Sequence, residues 1–241
     1  MPKSTNPWYI EFFSEDYLEI YEHTFSAERT NLEVSFIEAL LGLPQKSMIL
    51  DLCCGQGRHA VALAKLGFNV TGQDLSSNYL RQAEEYAKKE NVRLNLINED
   101  MRTIPFNGVF DAVINIFSSF GYFESYEQNL SVLKAIRTSL KPGGLLLMDL
   151  INREWVIRNY DETEWRESPD GNVHLENRAL DLITSRNHID FSVIYPDGTR
   201  KVTVGHHIRL YTLTEMIELF NLSGLTIKAY FGNFNGDPYS I

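Results

Sequence analysis

The sequence predicts an α/β protein: a mainly parallel, twisted β-sheet with helices on both faces, an N-terminal helical lid, and an inserted antiparallel three-strand meander. Three observations carry that prediction. Five short apolar runs of strand length alternate with helical patterns between residues 47 and 150, as expected of strands joined by right-handed crossovers. The first run ends in an acid and enters a glycine turn, Asp51-Leu52-Cys53-Cys54-Gly55-Gln56-Gly57. After Leu150 the texture changes to strand-like runs separated by short polar turns, which argues for antiparallel pairing.

From Tyr9 to Leu43, Phe13, Tyr17, Ile20 and Tyr21 and then Leu32, Phe36, Leu40 and Leu41 recur at three-to-four spacing. That spacing predicts amphipathic helices, read here as the lid. Ser47–Leu52 has the length and apolar content of a strand, and residues 55–67 follow as turn and helix, with Gly67 at the stop. The unit repeats as strand Asn69–Gln73 and helix Asn78–Glu90, then strand Arg93–Ile97, strand Phe110–Ile116 and helix Tyr126–Leu140. A Lys141-Pro142-Gly143-Gly144 turn leads into strand Leu145–Leu150. The meander comprises Val173–Leu182, Arg186–Tyr195 and Arg200–Leu210, with Pro196-Asp197-Gly198 as a hairpin turn. Thr212-Leu213-Thr214-Glu215 is a capping box that starts a helix running to about Leu222. A last strand, Leu225–Phe231, precedes a tail rich in Gly, Asn and Asp.

The chain has 241 residues, 44% of them hydrophobic, enough for one sizeable core. Its formal net charge of −10 disfavours a phosphate backbone or an anionic membrane as partner. The two cysteines, Cys53 and Cys54, are neighbours, which excludes an ordinary disulfide between them and suits a reducing compartment. Residues 1–7 lack the basic and apolar regions of a signal peptide, and no apolar run reaches the length of a membrane span. A cytoplasmic protein without a membrane anchor is the expectation. No His/Cys/carboxylate grouping has metal-ligand spacing, so no metal is expected.

Gly55 and Gly57 stand where backbone must approach a ligand, at the positive end of the helix that begins near Arg58. The run Gly55-Gln56-Gly57-Arg58-His59-Ala60 also fits a Rossmann dinucleotide fingerprint, so the glycines alone do not choose a ligand. The acids around them do. Asp51 would repel a pyrophosphate but can accept from an ammonium group. Asp74, ending the second strand, can accept from two ribose hydroxyls. Asp100, after the third strand, can accept from an adenine amine, with Leu75 and Met101 offering apolar contact to the ring. Each acid has a competing structural job as a helix cap or a solvated loop residue.

Together, Ile49 to Gly57, Gly72-Gln73-Asp74-Leu75-Ser76, Glu99-Asp100-Met101 and the Leu140 to Gly144 turn resemble the class I S-adenosylmethionine-dependent methyltransferases. The resemblance covers about Met48 to Leu150 and implies a Rossmann-like fold with S-adenosylmethionine as cofactor and S-adenosylhomocysteine as product. Asp51, Cys53, Gly55, Gly57, Asp74, Leu75, Asp100, Met101 and Phe117 become the cofactor-binding candidates. That family usually has Gly at the position of Cys53, so the backbone there must avoid a left-handed conformation or bear strain. The domains read as a lid over 1–46, a cofactor-binding α/β domain over 47–152 and 211–241, and an inserted sheet over 153–210.

For such a reaction the protein has to align an acceptor and exclude water. Hydroxyl or ammonium acceptors must also lose a proton, and the candidate bases are Tyr21, His206 and His207. Adjacent histidines on a strand face opposite ways, so at most one enters the site. Tyr17 and Tyr21, four apart, can close over the methionyl group or form an ordinary aromatic stripe. The segment Asn115 to Tyr122 lacks both the Asn/Asp-Pro-Pro-aromatic signature of amino-group methylation of adenine or glutamine and the Pro-Cys nucleophile of cytosine methylation. The placement of the inserted sheet is similar to that of aminosugar N,N-dimethyltransferases, which implies a small-molecule N or O acceptor and makes the added sheet a candidate dimer interface. A nicotinamide-dependent oxidoreductase using the same turn, and an S-adenosylmethionine-binding module without catalysis, are the competing readings.

Overall fold

The computed structural model describes residues 7–240; residues 1–6 of the expected lid, and with them most of the stretch searched for a signal peptide, lie outside the described residues, as does Ile241. The lid consists of α1 (Trp8–Phe12), α2 (Glu15–Tyr21) with a 3-10 turn after it, and α3 (Ala27–Leu41). The α/β part follows as β1 (Met48–Leu52), α4 (Arg58–Lys65), β2 (Asn69–Asp74), α5 (Ser77–Lys89), β3 (Asn95–Asn98), β4 (Phe110–Asn115), α6 (Tyr126–Ser139) and β5 (Leu140–Met148). Its strands pair in parallel in the order β3-β2-β1-β4-β5.

Strand alternation decides which helices cover which face. Ile49, Ala112 and Ile114 face Val34, Ile37 and Leu41 of α3 and Ala60 and Leu63 of α4. Leu50, Leu52 and Val113 face the other way, toward Val132, Leu133 and Ile136 of α6 and toward Met216 and Leu219 of α8 (Leu213–Ser223). Side chains buried to this degree contribute roughly 1.5–3 kcal/mol each relative to exposure. Helix starts are capped by side chains: Ser26 Oγ accepts from Arg29 N and Ser76 Oγ from Tyr79 N, at 3.1 and 3.3 Å. The Thr212–Glu215 box forms as expected, with Thr212 Oγ1 accepting from Glu215 N at 3.1 Å and Glu215 Oε2 accepting from Thr212 N at 2.8 Å. No helix among the described residues is long and apolar enough to cross a membrane.

Four expectations are corrected. In α3 the buried stripe is Thr30, Glu33, Val34, Ile37 and Leu41, whereas Leu32 and Leu40 are 47% and 41% exposed. Leu41 and Phe36 do face the core, but the rest of the inward stripe runs through Thr30 and Glu33 in place of Leu32 and Leu40, and a charged residue there hides it from an apolar pattern. The Lys141-Pro142-Gly143-Gly144 segment is not a turn before the fifth strand but an irregular part of β5, whose Leu140 already pairs with Phe110. The inserted sheet has four strands, not three: after α7 (Arg153–Arg158) come β6 (Thr163–Glu167), β7 (Val173–Asp181), β8 (Arg186–Ile194) and β9 (Arg200–Arg209), antiparallel in that order. Thr163-Glu164-Trp165-Arg166-Glu167 is an exposed edge strand without the apolar alternation that reveals half-buried strands. No strand forms at Leu225–Phe231. Leu225 turns into the α6–α8 core, while Tyr230 stays 59% exposed and Gly232 N donates to Asp237 O at 2.7 Å in a turn. That geometry leaves the segment no neighbouring strand, and β5 remains an edge among the described residues.

The two sheets are joined where the chain leaves β4. Arg209 N, at the end of β9, donates to Gly121 O at 2.9 Å, and Gly121 has φ +87°. A Cβ there would collide with the carbonyl oxygen of Arg209. Gly121→Ala therefore combines backbone strain with a backbone clash and is expected to destabilise the chain by about 3 kcal/mol or more. Urea unfolding monitored by circular dichroism measures it; a loss below about 1 kcal/mol would show that this junction adjusts freely.

Candidate active site

A cavity of about 800 Å³ opens beyond the carboxyl ends of β1, β2 and β4, roofed by the lid through Tyr9, Phe13, Tyr17 and Phe25. Its position follows from topology. The strand order reverses direction between β1 and β4, and an open parallel sheet leaves a crevice at such a switch point.

The turn from β1 to α4 carries three left-handed residues: Cys53 at φ +62°, Gly55 at +54° and Gly57 at +80°. Each serves a different purpose. A Cβ on Gly55 would meet nothing within 4 Å, so the backbone lies open to the cavity. A Cβ on Gly57 would press on Ala83 Cβ at 2.9 Å; this glycine lets α4 pack on α5 and does not line the cavity. Cys53 bears the strain that the sequence raised as one of two outcomes, at a cost on the order of 1–3 kcal/mol. Its Sγ lies 4.0 Å from Met101 Sδ. Burial, with Asp74 and Asp51 nearby, pushes the thiol well above its ordinary range, so it is no nucleophile.

Asp51 is 2% exposed, yet its Oδ2 has no hydrogen-bond partner. Burial pushes this carboxyl up to about 7; the Asp74 charge adds to the rise, and Arg58 and the Ala60 amide oppose it. Asp74 ties the end of β2 to the turn: Oδ2 accepts from Gly55 N and Oδ1 from Ser76 N, both at 2.8 Å. Burial still raises its pKa against those amides. Asp100 is engaged by Arg102, with Oδ1 accepting from Nε at 2.9 Å and Oδ2 from Nη2 at 2.7 Å. Burial pulls the Asp100 pKa upward, but the Arg102 bonds outweigh it and hold the carboxyl below its usual range. Arg102 in turn lies 4.2 Å from the Phe123 ring centroid.

Leu75, 42% exposed, and half-buried Met101 stand on the wall beside these acids. Phe117 is there too, in a left-handed pair with Ser118 at φ +63° and +57°. Asp149 steadies that pair: its Oδ2 accepts from Phe117 N at 2.9 Å and its carbonyl from Ser118 N at 3.0 Å.

Tyr21, His206 and His207 are not on the cavity wall. Tyr21 packs against Tyr17, Phe117 and Phe191, and burial raises its hydroxyl far above the ordinary value. His206 sits among Trp8, Phe12 and Phe191, where burial, reinforced by His207, lowers it to about 3. His207 stacks on His188 with ring centroids 5.3 Å apart and lies 3.4 Å from Glu124.

The sequence reading missed a charged cluster behind the wall. Glu33 of α3, side chain 1% exposed, accepts from Arg29 Nε at 2.9 Å, from His59 Nε2 at 2.8 Å and from Arg58 Nη1. Burial pulls Glu33 upward, but these three bonds win and hold it ionised, down at about 2. An acid at an inward position of an amphipathic helix was the available signal. Tyr79 was missed as well; its hydroxyl donates to Ser14 O at 2.8 Å and pins the lid to α5.

Residues 49–144 match the family model described as a methyltransferase domain. The protein YqeM of Bacillus subtilis (strain 168) is 35% identical over 137 residues, which are 56% of this chain and 54% of YqeM, so the chain matches about half the length of that relative. The dTDP-3-amino-3,4,6-trideoxy-alpha-D-glucopyranose N,N-dimethyltransferase of Streptomyces venezuelae is 26% identical over 80% of this chain and 81% of its own. In fold, the chain is similar to a crystal structure of an S-adenosylmethionine-dependent methyltransferase from Clostridium acetobutylicum ATCC 824, with TM-score 0.80, 18% identity, and coverage of 94% of this chain and 93% of that one.

The strain at Cys53 is directly measurable. Cys53→Gly removes side-chain packing but relieves the left-handed backbone, and its unfolding free energy should stay within about 1 kcal/mol of the parent. Cys53→Val puts a β-branched residue into the same conformation and should cost about 2 kcal/mol or more. Equal losses for the two in urea unfolding would show that φ at this position does not matter.

Proposed function

We propose that this chain, whose residues 49–144 form a methyltransferase domain, moves a methyl group from S-adenosylmethionine to a nitrogen atom of a small molecule. The observation that carries this reading is the orphaned Oδ2 of Asp51, buried on the wall of the cavity beside a glycine turn. A buried carboxylate oxygen without a donor is a costly feature unless a ligand supplies the proton donor, and the ammonium group of a methionyl moiety is such a donor. When bound, S-adenosylmethionine supplies a methyl group on a positively charged sulfur, already a good electrophile.

The chain's own residues then bind, orient and exclude water. Asp74 spends one lone pair of each oxygen on an amide, and the remaining lone pairs suit two ribose hydroxyls. Leu75 and Met101 offer apolar surface to an adenine ring, with Asp100 beside them as acceptor for its amine. Gly55 lets the turn approach the ligand without a side chain between them. The rings of Tyr9, Phe13 and Tyr17 close the cavity from the lid side, where they keep water from the reacting groups.

Nitrogen is favoured over oxygen because, in this reading, the wall carboxylates Asp51, Asp74 and Asp100 are given to the cofactor. Among the described residues the imidazole on the wall is His59, which is committed to Glu33, and burial raises the Tyr17 hydroxyl far above its usual range. A hydroxyl acceptor needs a base to take its proton as the methyl group arrives; a neutral amine attacks through its lone pair without one. The dimethyltransferase relative is named for a nitrogen on an amino sugar, which supports the same direction.

Two measurements test the reading. Radiolabelled methyl groups should pass from S-adenosylmethionine to members of a panel of small primary and secondary amines; transfer to hydroxyl compounds alone would overturn the choice of nitrogen. Asp74→Ala should weaken S-adenosylhomocysteine binding by roughly 1.5–3 kcal/mol, the scale of a charged hydrogen bond. Calorimetric titration measures that loss, and unchanged affinity would remove Asp74 from the ribose role.

A further inference from the structure

Arg58 is the first residue of α4, on the wall of the cavity. Its guanidinium lies 5.5 Å from the Phe25 ring centroid and 5.9 Å from that of Phe117. Nη1 is bound by Glu33 Oε2 and donates to Thr30 Oγ1 at 3.3 Å, both acceptors belonging to α3. Nη2 is buried and has no hydrogen-bond partner. Asp51 Oδ2, also on this wall, is the matching orphan of opposite sign. One buried donor of a cation and one buried acceptor of an anion, left open on the same cavity, are complementary to a zwitterion: a carboxylate for Arg58 and an ammonium for Asp51.

The guanidinium is held by α3, the helix that shares a core cluster with α4. Glu33 fixes Arg58 through Nη1 and so leaves Nη2 for a ligand. Arg29 and His59 occupy the rest of the Glu33 carboxylate, which prevents it from swinging into the cavity to neutralise Arg58 completely. Two further acids feel the charge of Arg58: Asp149, which spends its Oδ2 on Phe117 N, and Asp51, whose Oδ2 makes no hydrogen bond to it.

We propose that Glu33 is a positioning residue that holds Arg58 for the carboxylate of a ligand's α-amino-acid end, so that α3 is stiffened only by a ligand carrying that end. The proposal rests on the functional reading above, which makes S-adenosylhomocysteine a ligand with that end and 5′-methylthioadenosine its counterpart without it.

The test titrates both compounds calorimetrically into the parent chain, Arg58→Met and Glu33→Gln, and follows amide hydrogen exchange across residues 27–41. Each variant should bind S-adenosylhomocysteine about tenfold or more weakly while binding 5′-methylthioadenosine within about twofold of the parent. In the parent, S-adenosylhomocysteine should slow exchange in α3 and 5′-methylthioadenosine should not; in Glu33→Gln that difference should vanish. Arg58→Met keeps the apolar stem, and its titration decides alone if Glu33→Gln does not fold. Equal losses for both compounds, or no loss for either, would overturn the positioning role and leave the functional reading standing. A parent chain that binds neither compound would overturn the functional reading, and the positioning role with it.

Discussion

A carboxylate buried at the end of β1 sets the terms for its surroundings. Asp51 is almost wholly removed from water and its pKa is pushed up to about 7, a displacement worth roughly 4 kcal/mol between its two protonation states. Because the folded value lies above the unfolded one, the proton on Asp51 adds stability that is fully present below about pH 4 and is lost as pH rises through about 7. The neighbourhood relieves the cost of the charge only in part: the Ala60 amide and Arg58 favour the anion while Asp74 opposes it. In the proposed reading a cationic ligand group relieves that tension, beside the open backbone at Gly55.

The lid and the inserted sheet have one physical role between them. Trp8, Phe12 and Ile20 from the lid pack with Ile189, Phe191 and Ile208 from the second sheet and with Tyr122 from the loop after β4. That cluster wedges short helices, too short to be stable alone, against a sheet that gives them a floor. The same packing turns Tyr9, Phe13 and Tyr17 toward the cavity. It also explains where the histidines went: both rings meet Trp8, and His206 is buried further between Phe12 and Phe191, where a neutral ring is favoured. Tyr21 is held in the same way, by rings on three sides.

The parallel sheet was legible because β1, β2 and β4 are buried runs and most strands are joined by helices with clear stops, as at Gly67. The cavity was legible where backbone and strand ends make it: Asp51, Cys53, Gly55, Asp74, Leu75, Asp100, Met101 and Phe117 share one wall. Gly57 carries the same motif but serves helix packing, a distinction that only the position of Ala83 reveals. What escaped was long-range or polar. Glu33 lies 25 residues from Arg58 in sequence, and its inward position contradicts the apolar periodicity used to orient α3. β6 escaped because an exposed edge strand needs no apolar face. Leu225–Phe231 was overread because its composition suits a strand, while pairing depends on a neighbour that composition cannot supply.

The central claim is that the strand-end acids, Asp51 above all, select a nucleoside with a cationic amino-acid end over a dinucleotide whose pyrophosphate would face the same turn. A thermal-shift comparison of S-adenosylhomocysteine with NAD tests it most directly. Stabilisation by S-adenosylhomocysteine with no shift from NAD at the same concentration is the predicted result; stabilisation by NAD alone would contradict the account.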